Sequence, residues 1–372
     1  MKENVYMDAA AGWLKPESVI NAQVDFLTNS YANAGRGICK RAGNVDKMIA
    51  DARETVADFI GADAKNIVWT SGATDGLNRI VDIIVSQSGY SEKSSFAVSD
   101  FDHHSARLPW ENLLRCGKTG QEFICELDEN FNIDIDSIPK TDFLIITAMS
   151  NVLGVAQDVE KIIRMARDKN PNVITIVDAS QYIVHKKIDV KKWDCDFLVF
   201  SGHKIGADTG VGVLYIRDID KYYPDKFGGG MINKIKSDLN WVLNDAPQKF
   251  EAGTLPLTQI IGMPYAIKSL SGWSGARDLI HYMYDELSKI PHIQIISSRD
   301  SCMLDFVVDN MHFLDLGAML GVQNICVRVG NMCASWIHQK LGLDGSVRIS
   351  VGPWNNMDEA KYVIETIRKV VK

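Results

Sequence analysis

Apolar positions along the chain follow two alternating rhythms, short unbroken runs and longer stretches repeating at helical spacing. Residues 44–61 have helical spacing and close on Gly61, a C-terminal cap. Residues 66–70 form a short strand that runs into Ser71–Gly72–Ala73–Thr74–Asp75–Gly76, followed by a helical pattern from Leu77 to about Gln87. Strands at 95–99 and 143–149, a helix at 159–169, and strands at 173–177 and 196–200 continue the alternation. This rhythm predicts a mainly parallel sheet covered by helices on both faces.

After about Gly262 the texture changes. Helices at 262–271 and 276–289, strands at 293–297 and 303–308, a helix at 313–320, strands at 325–329 and 346–351, and a terminal helix from Met357 read as an α+β unit. The loop-rich stretch 223–258, with Gly228–Gly229–Gly230, is longer than a plain connector, and such loops are often functional. The expected division is 1–20 as an N-terminal segment of the small domain, 21–261 as the large domain and 262–372 as the C-terminal α+β domain. A chain of 372 residues has room for both.

Charge and composition exclude some functions. The formal net charge is −7 and no basic cluster appears, which argues against nucleic acid as a partner. No apolar run reaches the roughly 18 residues of a membrane span, and the start MKENVYMDAAAGW lacks the apolar core of a secretory signal. Seven scattered cysteines without a CxxC pair point away from metal ligation and towards a reducing cytoplasm.

Candidate chemistry sits at the strand ends. Ser201–Gly202–His203–Lys204 directly follows the apolar run 196–200. A lysine there suits a Schiff-base nucleophile, because desolvation or neighbouring positive charge lowers the amine's pKa. Alone, the turn also fits an ordinary surface lysine. Upstream, 173–177 delivers Asp178 at its carboxyl end, where ligands of doubly wound sheets bind. A lysine and an aspartate facing one pocket are the two protein groups that pyridoxal phosphate chemistry needs, although a lone Asp after a strand equally caps a turn. The Ser71–Thr74 turn is either a phosphate cradle or a plain N-cap. His103 and His104 are either ring-stacking and proton-moving groups or structural ones, and adjacent positions on a strand disfavour a shared metal. Cys333, between a strand and a helix, is either a nucleophile or an inert thiol. Arg328 and Arg348, on neighbouring strand candidates, can clamp a carboxylate.

In this order these residues resemble the class V, fold type I pyridoxal phosphate enzymes, most closely the SufS/CsdA-like (type II) cysteine desulfurases. The resemblance runs from YMDAAAGWLKPESV through ARETVADFIGADAKNIVWTSGATDGLN, DHHSARLPW and SNVLG. It is strongest across VDASQYIVHKKIDVKKWDCDFLVFSGHKIGADTGVGVLY, and closes with GGGMI, FEAGT and RVGNMCA before VRISVG. It implies a seven-stranded, mainly parallel α/β sheet with helices on both faces plus a smaller α+β C-terminal domain. It implies pyridoxal 5′-phosphate as cofactor and no metal. Lys204 would be the Schiff-base lysine, Asp178 the partner of the pyridine nitrogen, Gln181 a contact of the phenolic oxygen, and His103 a catalytic group stacked on the ring. Ala73, Thr74, Ser201 and His203 match phosphate-binding positions, and Asn151 lies near the cofactor oxygen. Thr254 would reach the phosphate of the partner subunit, implying a homodimer with shared active sites. Arg348 and Arg36 would bind the carboxylate of a small amino-acid substrate, and Cys333 matches the persulfide-forming nucleophile that passes sulfur to an acceptor protein.

Departures from the family pattern cluster around substrate and nucleophile. The usual G-H-H-C-A reads Gly330–Asn331–Met332–Cys333–Ala334, without the proline that follows. The threonine pair is Ala73–Thr74, His-Arg-Gly is Gly35–Arg36–Gly37, and Tyr-Asn-Thr is replaced within Pro353–Trp354–Asn355–Asn356. The expected activity is cysteine desulfuration; the alternatives are C–S lysis by β-elimination of a cysteine derivative, or a class V aminotransferase or epimerase reaction.

Overall fold

The computed structural model describes residues 4–35, 37–87 and 90–371. Its central sheet has seven strands in the spatial order Ile67–Thr70, Gly212–Ile216, Phe197–Ser201, Ile174–Asp178, Phe143–Thr147, Ser95–Ser99 and Gln121–Cys125. Four neighbouring pairs are parallel. Gly212–Ile216 is antiparallel to both of its neighbours. Phe143–Thr147, Phe197–Ser201 and Gly212–Ile216 are buried along their whole length, as strands covered on both faces must be.

Alternation along each strand distributes side chains to two layers. Leu144, Ile146, Val177, Leu198 and Phe200 join one core with Val45, Ile49 and Val56 of the helix Lys40–Ile60. Phe143, Ile145, Ile176, Phe197 and Val199 join the other, with Leu77 and Ile80 of the helix Ala73–Val85 and Trp110 of the helix His104–Arg115.

A second, antiparallel sheet runs Ile293–Ile295, Leu304–Val308, Ser346–Ile349, Arg328–Gly330. It shares a core with the helices Arg277–Leu287, Phe313–Val322 and Met357–Val370. The last of these opens with an Asn356–Glu359 capping box. Val5–Tyr6 pairs with Ile325–Cys326, so the start of the chain is tied to this C-terminal layer.

The structure differs from the periodicity at identifiable places. The strand expected at 325–329 is two, Ile325–Cys326 and Arg328–Gly330, each with a different partner. Gln121–Cys125 is a sheet-edge strand with a largely half-buried, polar-interrupted pattern, and carried no clear signal. The helix His104–Arg115 contains Pro109, and the helix expected from 262 begins at Leu257 and runs through Pro264; in both, packing overrides a local breaker. The stretch 223–258 holds a hairpin, Ile232–Ser237 with Asn240–Leu243, whose side chains are mostly exposed on both faces.

Candidate active site

Parallel strands end along one rim of the central sheet, and there a cavity of about 480 Å³ lies beneath the second sheet. Asp178 closes its strand at this rim. Ser201 closes the next, and one 3₁₀ turn, Gly202–Lys204, carries the lysine inward. A Cβ on Gly202 would lie 2.8 Å from Val211 Cγ1, so only glycine permits that tight turn.

Lys204, Asp178, His103, Asn151, Gln181 and Cys333 line this cavity. Ala73, Thr74, Ser201, His203 and Arg348 complete the set that the sequence nominated here. Thr254 does not join them: it lines a separate cavity of about 950 Å³ beside Gly229, Gly230 and the Arg53–Glu251 ion pair. Arg36 lies outside the described residues.

Burial brings the Lys204 amine down to about 8, aided by the positive charge of Arg348 and Arg328 and opposed by Asp178 and Asp8. Its Nζ donates to the carbonyl of Ala10, which also accepts Gln181 Nε2 at 2.7 Å. Asp178 is buried, with Oδ1 accepting the Ser180 N–H at 3.0 Å. His103 caps its helix: Nδ1 accepts the Ser105 N–H at 3.1 Å, which assigns the remaining ring proton to Nε2. Burial lowers the His103 pKa, with Lys204, His104 and Arg348 acting in the same direction against Asp178. Burial and the adjacent Lys204 push His203 down to about 4, so its ring is neutral at pH 7.

At one end the cavity meets the N-terminus of the helix Ala73–Val85. Neither Ser71 nor Thr74 caps it; Gly72, which has no side chain to offer, is the N-cap. The Ala73 N–H donates to Ser201 Oγ at 2.8 Å, and Thr74 Oγ1 lies 2.7 Å from Ser105 Oγ. Hydroxyls gathered at a helix N-terminus form a site for an anion. A Cβ on Gly212 would lie 2.5 Å from Gly72 Cα, so this turn approaches the sheet only over a glycine.

At the other end Arg348 is 2% exposed, donating to Asn151 O at 2.6 Å and to Asp8 Oδ1 at 3.0 Å. Its strand partner Arg328 lies 3.9 Å from the other oxygen of Asp8. Sequence reasoning missed Asp8 and Ser105. The signal for Asp8 was its place in Tyr6–Met7–Asp8–Ala9–Ala10, and for Ser105 its place two residues after His103. Among the described residues, four buried polar atoms of cavity residues have no partner: Thr147 Oγ1, Asn151 Oδ1, Ser180 Oγ and Arg348 Nε. Unpaired buried groups of this kind ask for a ligand or water.

Cys333 is exposed and occupies a left-handed turn, φ +57°, directly after Met332 at φ +50°. Two consecutive non-glycine residues in this region persist only where surrounding bonds enforce them. Met332 O accepts Asn151 Nδ2 at 2.6 Å, and Cys333 O accepts the His104 N–H at 2.7 Å.

The family model described as "Aminotransferase class-V" matches residues 5–363. A protein of Borreliella burgdorferi named "Probable cysteine desulfurase" is 33% identical over 99% of this chain and 92% of its own length. Among solved structures, a cysteine desulfurase from Thermococcus onnurineus superposes with a TM-score of 0.93 at 29% identity, covering 99% of this chain and 94% of that one. The cysteine desulfurase CsdA from Escherichia coli gives 0.90 at 30% identity, with the same two coverages, 99% and 94%.

Proposed function

This chain belongs to the class V aminotransferase family, and we propose that it is a pyridoxal-phosphate-dependent cysteine desulfurase. It converts L-cysteine to L-alanine and holds the sulfur as a persulfide on Cys333. The observation that carries this reading is one cavity lined by a lysine brought down to about 8, a buried aspartate and an exposed cysteine.

Residues present in the cavity fit the cofactor. The open helix N-terminus with Thr74, Ser201 and Ser105 suits a phosphate, Asp178 a protonated ring nitrogen, and Lys204 an aldehyde. The unpaired Asn151 Oδ1, Ser180 Oγ and Arg348 Nε are polar atoms awaiting partners at the same place. Bound there, pyridoxal phosphate supplies a sink for the electrons released at the substrate's α-carbon.

The protein's groups divide the remaining labour. Lys204 Nζ, partly neutral near physiological pH, takes the α-proton and returns one. Asp178, buried at the cavity, would hold a proton on the cofactor's ring nitrogen. His103, with its proton on Nε2, would face the cofactor ring, and Arg348 and Arg328 would receive the substrate carboxylate. The Cys333 thiolate attacks the substrate sulfur: the Cβ–S bond breaks, an S–S bond forms, and the electron pair left on carbon takes a proton. No external oxidant is needed.

A homodimer with shared sites belongs to the same proposal. Its support is that Thr254 lines a second, broader cavity with Gly35, Gly229 and Gly230 rather than the Lys204 cavity of its own chain. An exposed Cys333 suits delivery of sulfur to an acceptor protein. All seven cysteines are free, which suits the reducing cytoplasm. No helix among the described residues is long and apolar enough to cross a membrane. The test is product analysis with L-cysteine: equal amounts of alanine and protein persulfide support the proposal, whereas pyruvate in place of alanine identifies a C–S lyase.

A further inference from the structure

His104 has no part in the chemistry above, yet it holds the Cys333 turn at two points, Cys333 and Ser335. Its main-chain N–H donates to Cys333 O at 2.7 Å. Its ring Nε2 accepts the Ser335 N–H at 3.1 Å and lies 3.1 Å from Ser335 Oγ. The ring also meets the Trp336 indole edge-on, centroids 5.2 Å apart at 89°. Trp336 is held in turn by the Arg107 guanidinium 4.2 Å from its ring, and Arg107 is fixed by Glu111 at 2.7 Å and Glu122 at 3.0 Å. One histidine thus joins the helix His104–Arg115, whose N-cap His103 borders the cavity, to the loop that bears the thiol.

The loop needs such an anchor. Met332 and Cys333 are both left-handed, and no proline from Gly330 to Ile337 presets the backbone. The helix that follows, Ser335–Lys340, has six residues and no side-chain cap. For Nε2 to accept a main-chain N–H the ring must be neutral with its proton on Nδ1, and burial favours that form while Glu111 opposes it.

We propose that His104 is a positioning residue that holds the Cys333 turn in the conformation presenting the thiol to the substrate sulfur. It governs the sulfur-transfer half of the reaction and leaves cofactor binding alone. The inference rests on the reading of Cys333 as the nucleophile.

Three variants of the holoenzyme test it: His104→Leu, His104→Gln and Cys333→Ala. His104→Leu keeps the absorbance of the bound cofactor, its change on adding L-cysteine, and KM. Its kcat for alanine formation and the rate at which iodoacetamide alkylates Cys333 change by roughly ten- to hundredfold, the scale of a misplaced reacting group. His104→Gln, whose Oε1 can accept the Ser335 N–H, restores most of the rate. A wild-type kcat in His104→Leu, a Gln variant no better than Leu, or loss of the cofactor signal together with activity overturns the positioning role. Full alanine formation by Cys333→Ala overturns the reading of Cys333 as the nucleophile, on which the inference rests. An inactive Cys333→Ala beside an unaffected His104→Leu overturns the positioning role alone.

Discussion

The two walls of the cavity are built on different principles. The wall bearing Asp178 and Lys204 consists of strand ends locked into a seven-stranded ladder, with side chains buried between two cores. The wall bearing Cys333 is a left-handed turn between a three-residue strand and a six-residue helix, held by bonds from Asn151 and His104. Cofactor anchoring demands a fixed site, and a sheet rim supplies it. The sulfur-carrying role proposed for Cys333 requires access to substrate on one side and to an acceptor on the other, and an exposed turn allows both. The contrast implies that changes on the first wall abolish all chemistry, while changes on the second separate cofactor binding from sulfur transfer.

The largest effect falls on the sheet wall. Lys204→Ala should reduce alanine formation by roughly a thousandfold or more, since it removes the group proposed as both anchor and base. Alanine assays with added cofactor check this; retained turnover would dissolve the contrast. Next comes Asp178→Asn, expected to lower kcat by about a hundredfold while Cys333 keeps its alkylation rate. On the second wall, Asn151→Ala removes the side-chain bond to Met332 O while keeping the main-chain carbonyl that Arg348 uses, and steady-state kinetics should show a fall of roughly three- to tenfold.

A smaller, sharper test concerns pH. The folded Lys204 amine is held near 8, below its usual value, so its neutral fraction drops about tenfold for each pH unit below 8. In cofactor-free protein the rate of cofactor uptake should therefore rise with pH and level off above about 8. Asp8 raises the Lys204 pKa, so Asp8→Asn should move that midpoint downwards. Stopped-flow absorbance reads both; a midpoint unchanged by Asp8→Asn contradicts the electrostatic account.

The same contrast explains what could be read from the residues alone. Strands 95–99, 173–177 and 196–200 are runs of apolar residues whose length and position follow from burial on both faces, and Asp178 and Lys204 follow from where those runs stop. Cys333 could be named as a candidate, but the left-handed turn could not, because Met332 and Cys333 are residues that rarely adopt it. Local pattern did not reveal Asp8, and it left His104 between a ring-stacking and a structural role, because the contacts that decide both are with Arg348 and Ser335, separated from them by hundreds of residues of chain. The hairpin within 223–258 is exposed on both faces and lacks the one-sided apolar alternation that marks a half-buried strand.

Mass analysis of the peptide containing Cys333, after one turnover of the holoenzyme with L-cysteine, tests the central claim most directly. The account predicts a mass gain of one sulfur atom on Cys333, matched by one equivalent of alanine. An unmodified Cys333 accompanied by pyruvate, or by alanine without persulfide, would contradict it.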